Sequence, residues 1–185
     1  VYQRDPEEIT VRADEQNKPD ILQYAVTVEQ TDKVAAMARI IRQEKLERVM
    51  VFCNQKYTTA MLANQMARLN FVVDCLHGDL SQAERNKIMG EFKAGNIAVL
   101  VATDVAARGI DVSEVDAVFN YDVPDSNEYY THRIGRTGRA KHTGEAYVLY
   151  TKEEHKRVRD MLRYTRNTAT PIAFDESRSI IPGTF

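Results

Sequence analysis

Apolar and polar positions along the chain follow two alternating periods. The run from Gln23 to Val28 reads as a strand. Thr31 then opens a helix in which Val34, Met37, Ala38 and Ile41 fall at i, i+3, i+4 and i+7, one face of a 3.6-residue period. Arg48 to Cys53 reads as a second strand. Thr58 to Leu69 reads as a helix with Leu62, Met66 and Leu69 on one stripe, and Val72 to Leu76 as a short strand. Ser81-Gln82-Ala83-Glu84 has the spacing of a capping box, which starts a helix at Ser81. Ile97 to Ala102 is wholly apolar, as in a strand covered on both faces. Ala117 to Asn120 is another strand, and Asp125 and Ser126 can cap a helix that ends near Gly135. Glu145 to Tyr150 is a last strand. Thr151-Lys152-Glu153-Glu154 repeats the capping-box spacing and opens a helix with Val158, Met161, Leu162 and Thr165 on one face.

Strand and helix alternate about six times, which predicts an α/β domain around a central, mainly parallel sheet of about six strands. The predicted domain runs over residues 21–168. Residues 1–20 are polar and charged with no apolar period, and read as an N-terminal arm or interdomain linker. Residues 169–185 carry Pro171 and Pro182 and weak patterning, and read as a C-terminal tail without assigned structure.

Composition narrows the classes. The 185 residues suit one domain, with 43% apolar residues for a core and 28% charged residues for its surface. A formal net charge of -2 excludes a chain coated in positive charge, yet leaves room for a local basic edge that meets nucleic acid. No long apolar run marks a membrane span, the polar start is not a signal peptide, and a first residue of Val1 points to a fragment or a processed chain. Cys53 and Cys75 sit in apolar runs and read as buried, reduced thiols, which points to the cytoplasm. There is no CxxC, and His77, His132, His142 and His155 lack metal-ligand spacing, so no metal site is predicted.

The unusual residues collect where strands end, and ligands of open parallel sheets bind outside the carboxyl ends of strands. Asn54, Gln55 and Lys56 follow one strand; His77, Gly78 and Asp79 follow the next and lead into the helix capped at Ser81; Thr103 and Asp104 follow the most buried one. Helix N-termini with free N–H groups are natural phosphate sites, and a row of them suits a nucleic-acid backbone. A single Gly-Asp turn is more often structural. In His132-Arg133-Ile134-Gly135-Arg136-Thr137-Gly138-Arg139, Gly135 ends the helix and Gly138 frees the backbone again, so Arg136 and Arg139 project from a glycine-rich turn, where guanidinium groups can fork around phosphate oxygens. The alternative is a solvated basic loop. Arg108-Gly109 and Asp111 follow a short helical piece, where a carboxylate can accept from ribose hydroxyls or, equally, cap a turn.

These segments together resemble a known family. ATDVAARGID and HRIGRTGRA resemble the fifth and sixth motifs of DEAD-box ATP-dependent RNA helicases. VFCNQK resembles their fourth motif, HGDLSQAER their Gly-Asp turn followed by Gln-x-x-Arg, and NYDVP the strand end before the sixth motif. The likeness spans Gln23 to Tyr164. Helicases of the DEAH type and their DNA-directed cousins usually carry Gln where His132 stands, and the family more often has Thr where Gln55 stands.

The resemblance is to the second of two RecA-like domains, and it implies a three-layer RecA-like sandwich. It matches Arg136 and Arg139 to arginine fingers that reach the γ-phosphate of ATP. Gly109 and Asp111 match positions at the ribose side of the nucleotide, and His132 and Arg133 match residues that couple the cleft to the opposite domain. Asn54, Gly78, Asp79, Arg85, Thr103 and Asp104 match positions along the RNA backbone, and Phe52 packs behind the sixth motif. The chain contains no GxxxxGK[ST] loop and no Asp-Glu-Ala-Asp run. ATP and Mg²⁺ would then be held mainly by an N-terminal RecA-like domain of the same protein, with single-stranded or short duplex RNA as partner and no membrane. This chain alone would be inactive. Two rivals stand beside that expectation: a stand-alone RNA-binding module, and half of a DNA helicase or translocase.

Overall fold

The structure, a computed structural model, describes residues 20–109, 115–138 and 143–185. Its strands are β1 (Ile21–Thr27), β2 (Val49–Cys53), β3 (Val73–Leu76), β4 (Val99–Thr103), β5 (Ala117–Asn120), β6 (Gly144–Tyr150), β7 (Thr170–Phe174) and β8 (Ile180–Pro182). Its α-helices are α1 (Lys33–Gln43), α2 (Lys56–Arg68), α3 (Gln82–Lys93), α4 (Asp104–Ala107), α5 (Asn127–Ile134) and α6 (His155–Tyr164). Short 3₁₀ turns at Gln30–Asp32 and Lys152–Glu154 lead into α1 and α6.

All eight strands form one sheet in the order β3-β4-β2-β5-β6-β1-β7-β8, parallel except for the β7–β8 pair. Parallel neighbours require crossovers, and the helices that supply them cover both faces. Val49, Val51, Cys53, Phe119 and Tyr147 turn to one face and meet α1 and α2 through Met37, Ile40, Leu62 and Met66. Met50, Phe52, Leu100 and Val118 turn to the other and meet α3 through Met89 and Phe92. Ala146 and Val148 continue that second face and meet α5 through Tyr130 and Ile134 and α6 through Val158, Met161 and Leu162. The domain is therefore a three-layer α/β sandwich with α3, α4, α5 and α6 in one layer.

The local signals act as expected. Ser81 accepts from the N–H of Glu84 at 3.1 Å while the Glu84 carboxylate accepts from the Ser81 N–H at 2.8 Å, which starts α3. Ser126 caps α5 through the N–H of Tyr129, and Gly135 closes it. Cys53 is buried and Cys75 half-buried, both as free thiols, and burial pushes the Cys53 thiol up to about 12.

The strand count of about six falls short, and the cause is the tail. Thr170–Phe174 adds to β1 in parallel, and Ile180–Pro182 folds back on it. Weak periodicity hid these strands because they lie towards the sheet edge, where burial is partial and prolines are tolerated. The Gly183 N–H donates to Pro171 O at 3.0 Å, a carbonyl bond that needs nothing from the proline nitrogen. At the other boundary Asp20 is tied in, its N–H donating to Gly138 O and its carbonyl accepting from the Gly144 N–H, both at 2.9 Å.

Candidate active-site and nucleic-acid face

Seven parallel strands send their carboxyl ends to the same edge, so the loops after β2, β3, β4 and β5 stand side by side. Their polar residues divide into an inner cluster and an outer rim.

The inner cluster centres on Arg133. It lies on α5, one residue before the apolar Ile134 that holds the helix to the sheet, and its side chain is 0% exposed. Nε donates to Asp104 Oδ1 at 2.8 Å and Nη2 to Asp104 Oδ2 at 2.7 Å, a bidentate pair. Nη2 also donates to Asn54 Oδ1 at 2.7 Å, and Nη1 donates to Asp122 O at 3.0 Å and Asn120 Oδ1 at 3.3 Å. A guanidinium has five N–H groups, and each has an acceptor here. The Phe52 ring lies under it, 5.4 Å from the guanidinium carbon. Asn54 is equally committed: its N–H donates to Asp122 Oδ2 at 2.8 Å and its amide to Val123 O at 3.1 Å and Asp125 Oδ1 at 3.3 Å.

This cluster links the ends of β2, β4 and β5 to α5. It also refines three expectations. Asn54 and Asp104, matched to the RNA backbone, turn their side chains inward to Arg133. Arg133, matched to coupling with an opposite domain, makes its contacts within this one. Asn120 and Asp122 were not singled out in the sequence, although an Asn closing the apolar strand Ala117–Asn120 is a signal, because a buried amide needs partners. Asn120 meets that need by donating to Tyr147 O at 2.9 Å.

The outer rim holds the remaining candidates. Thr103 caps α4, its hydroxyl accepting from the Ala106 N–H at 3.3 Å. Arg85 reaches from α3 to Ala106 O at 2.7 Å, and Arg136 Nη2 reaches Ala107 O at 2.9 Å. Two arginines thus meet the last carbonyls of α4, where the helix end favours cations. Asp79 pairs with Lys56 at 2.5 Å on the open surface, and this ammonium holds its carboxyl below the usual range. A Cβ built at Gly78 meets nothing within 4 Å, so the surface beside it is open.

Arg136, Arg108, Gly109, His132, Tyr129 and Phe52 line a cleft of about 330 Å³. Gly109 has φ +77°, a conformation that glycine adopts without cost, and open space around it. Asp111 and Arg139 lie outside the described residues. Gly138 frees the backbone as expected. It has φ +71°, but a Cβ there would stand 2.4 Å from Asp20 O, so the glycine admits the chain's own first strand rather than a ligand. Among the described residues, no group of three or more His, Cys, Asp or Glu could hold a metal, and no helix is long and apolar enough to cross a membrane.

Comparison with known proteins agrees with this fold. Residues 32–141 match the family described as the helicase conserved C-terminal domain. Over 95% of its length the chain is 37% identical to an ATP-dependent RNA helicase FAL1 of Vanderwaltozyma polyspora, of which it covers 44%. Over 88% of its length it is 40% identical to eukaryotic initiation factor 4A-III homolog B of Oryza sativa subsp. japonica, of which it covers 41%. Among solved structures, the E. coli DEAD-box protein SrmB bound to regulator of ribonuclease activity A superposes with a TM-score of 0.80 at 34% identity, covering 91% of this chain and 98% of that one. A DEAD box protein from Methanococcus jannaschii gives 0.76 at 37% identity, covering 82% and 42%. The fold is that of a helicase C-terminal, RecA-like domain. The chain belongs to the DEAD-box RNA helicases, and it spans less than half the length of the curated relatives it matches.

Proposed function

We propose that the chain is the second half of an ATP-dependent RNA helicase motor, lending arginines and part of an RNA track to a nucleotide held elsewhere in the same protein. The observation that carries this is Arg136, which lines an open cleft beside Gly109 and His132. Phosphoryl transfer depends mainly on positioning and charge, and an arginine delivered across a cleft is worth about 10³ to 10⁵ in rate. Arg136, with Arg139, meets the γ-phosphate when two domains close, while Gly109 and Asp111 border the ribose. His132, exposed on the cleft wall, faces the opposite domain. The Arg133 cluster holds this wall in shape and so couples the loops after β2 and β4 to it.

An N-terminal RecA-like domain holds ATP and Mg²⁺ in this reading. Its support is that the sequence has no GxxxxGK[ST] loop and that the curated relatives are more than twice as long. Mg²⁺ neutralises charge on the phosphates when bound; the residues described here supply no ligand set for it. RNA backbone runs over the outer rim, with Gly78, Asp79, Arg85 and Thr103 nearest. Contacts to phosphate and sugar carry no sequence information, so binding is nearly blind to sequence. RNA that bridges both domains favours closure and stimulates turnover by shifting that population. Closure around one strand displaces its partner and opens the duplex locally.

The test is ATP turnover with and without single-stranded RNA, for this chain and for the full-length protein. Silence from the chain and RNA-stimulated turnover from the full-length protein are expected. Arg136→Ala in the full-length protein should reduce stimulated turnover by about 10³ or more and leave nucleotide binding largely unchanged. Turnover by the chain alone, or retained turnover in the variant, would overturn the assignment.

A further inference from the structure

Helix α6 carries a feature that the motor reading does not use. Its inward face, Val158, Met161 and Leu162, packs in the core. At 100° per residue, Lys156, Arg159 and Arg163 fall within about 60° of arc on the outward side, a cation at nearly every turn over about 10 Å. Arg166 follows just past the end of the helix. All four side chains belong to exposed residues. Among the described residues only Lys156 of the four closes an ion pair, with Asp160 at 2.9 Å. From Lys152 to Arg166 there are six basic and three acidic side chains, in a chain whose formal net charge is -2. The positive charge is therefore concentrated here against the overall balance.

We propose that the outward face of α6 is a second RNA-backbone contact, gripping phosphates of the segment that extends past the cleft. The proposal rests on the reading of the cleft side as the RNA track. Three observations favour RNA. A basic stripe along a helix is the electrostatic footprint of a nucleic-acid backbone. The stripe lies in the same helical layer as α3 and α5, which carry Arg85 and His132, so a strand leaving that face meets it without rounding the sheet. Tyr164, 79% exposed, stands on the flank of α6 past Asp160 and lines, with Lys156, Arg157, Asp125 and Glu153, a recess of about 460 Å³ between α6 and the loop leading into α5. An aromatic ring beside cations offers a stacking surface for a base that every base can use.

The experiment measures RNA affinity against salt concentration for the full-length protein and its R159Q/R163Q variant, with two RNAs. One is the shortest oligonucleotide that the unaltered protein binds measurably, and the other adds a single-stranded extension to it. On the extended RNA the variant should bind about ten-fold more weakly at low salt. Its slope of log affinity against log salt should be shallower by about 1.4, since each phosphate contact on a single strand contributes about 0.7. Affinity for the minimal RNA and maximal turnover should not change. An unchanged slope on the extended RNA would overturn the proposal and assign the stripe to another partner, such as an acidic protein segment. Equal loss on both RNAs would also overturn it, placing the effect in the cleft or in folding, which a melting curve separates. If the unaltered protein shows no RNA-stimulated turnover, the motor reading fails, while the slopes still decide the stripe.

Discussion

Two charged pairs follow strands of the same sheet edge, and they are built in opposite ways. Arg133 and Asp104 meet under a lid of protein, in a bidentate pair with the arginine wholly buried and its remaining N–H groups matched to Asn54, Asn120 and Asp122. Lys56 and Asp79 meet at 2.5 Å in the open, with side chains 56% and 67% exposed. A charge removed from water must be matched at every position or the fold suffers, so the inner pair specifies one arrangement of four chain segments. A pair that water can replace specifies little, and its groups stay available to a ligand. The inner pair shapes the wall, and in the proposed function the Lys56 ammonium of the outer pair can exchange Asp79 for an RNA phosphate.

The largest test of that contrast is Arg133→Ala. Removing one partner of a buried pair costs about 3–5 kcal/mol, because Asp104 and two amides lose their donors. A fall in melting temperature on the order of 10 °C is expected for this chain. Arg133→Lys should recover little of it, since an ammonium lacks the planar fork. A fall within measurement error would mean that the cluster does not hold the wall.

Glu145 is an intermediate case, a half-buried carboxylate that accepts from the Tyr147 hydroxyl at 2.7 Å. Burial raises its pKa above 4.5, and Glu44 and Asp116 add to the rise while the tyrosine bond opposes it. Its folded value lies above its unfolded one, so the folded protein keeps the proton where the unfolded chain has lost it. That contribution is full below 4.5 and is lost as pH rises through the folded value. Glu145→Gln should therefore remove this fall, and its melting temperature should gain on the unaltered chain as pH rises from 4.5 to 7. Parallel curves for the two would count against a raised carboxyl.

The smallest effect is expected from Lys56→Ala. Its melting temperature should match that of the unaltered chain, because solvent screens the pair it breaks. A loss comparable to that of Arg133→Ala would erase the distinction between rim and cluster.

Much of this was legible in the sequence, for local reasons. Strand and helix periods, the Ser81 capping box and the Ser126 cap depend on residues within a few positions of one another, and each appears where its pattern predicts. The strand ends were also legible, since polar residues interrupt apolar runs there, and these ends gather the cleft residues Gly109, His132 and Arg136. The resemblance in ATDVAARGID and HRIGRTGRA named the family because those strings are long and specific.

Other features depended on partners distant in the chain. Nothing near Arg133 indicates that Asn54, 79 positions away, is its acceptor, or that Asp104 turns inward rather than out to RNA. Gly138 read as a freed turn, and only the fold brought Asp20 against it. The tail showed no period because its strands are stabilised by joining β1 rather than by their own amphipathic pattern. Periodicity and capping are written in neighbouring residues, so the sequence by itself determined the elements from β1 to α6, the α/β class and the family. Which polar groups are matched in the interior and which remain at the surface was decided only by tertiary structure, because burial makes every unpaired donor or acceptor costly and its partner can come from anywhere in the chain.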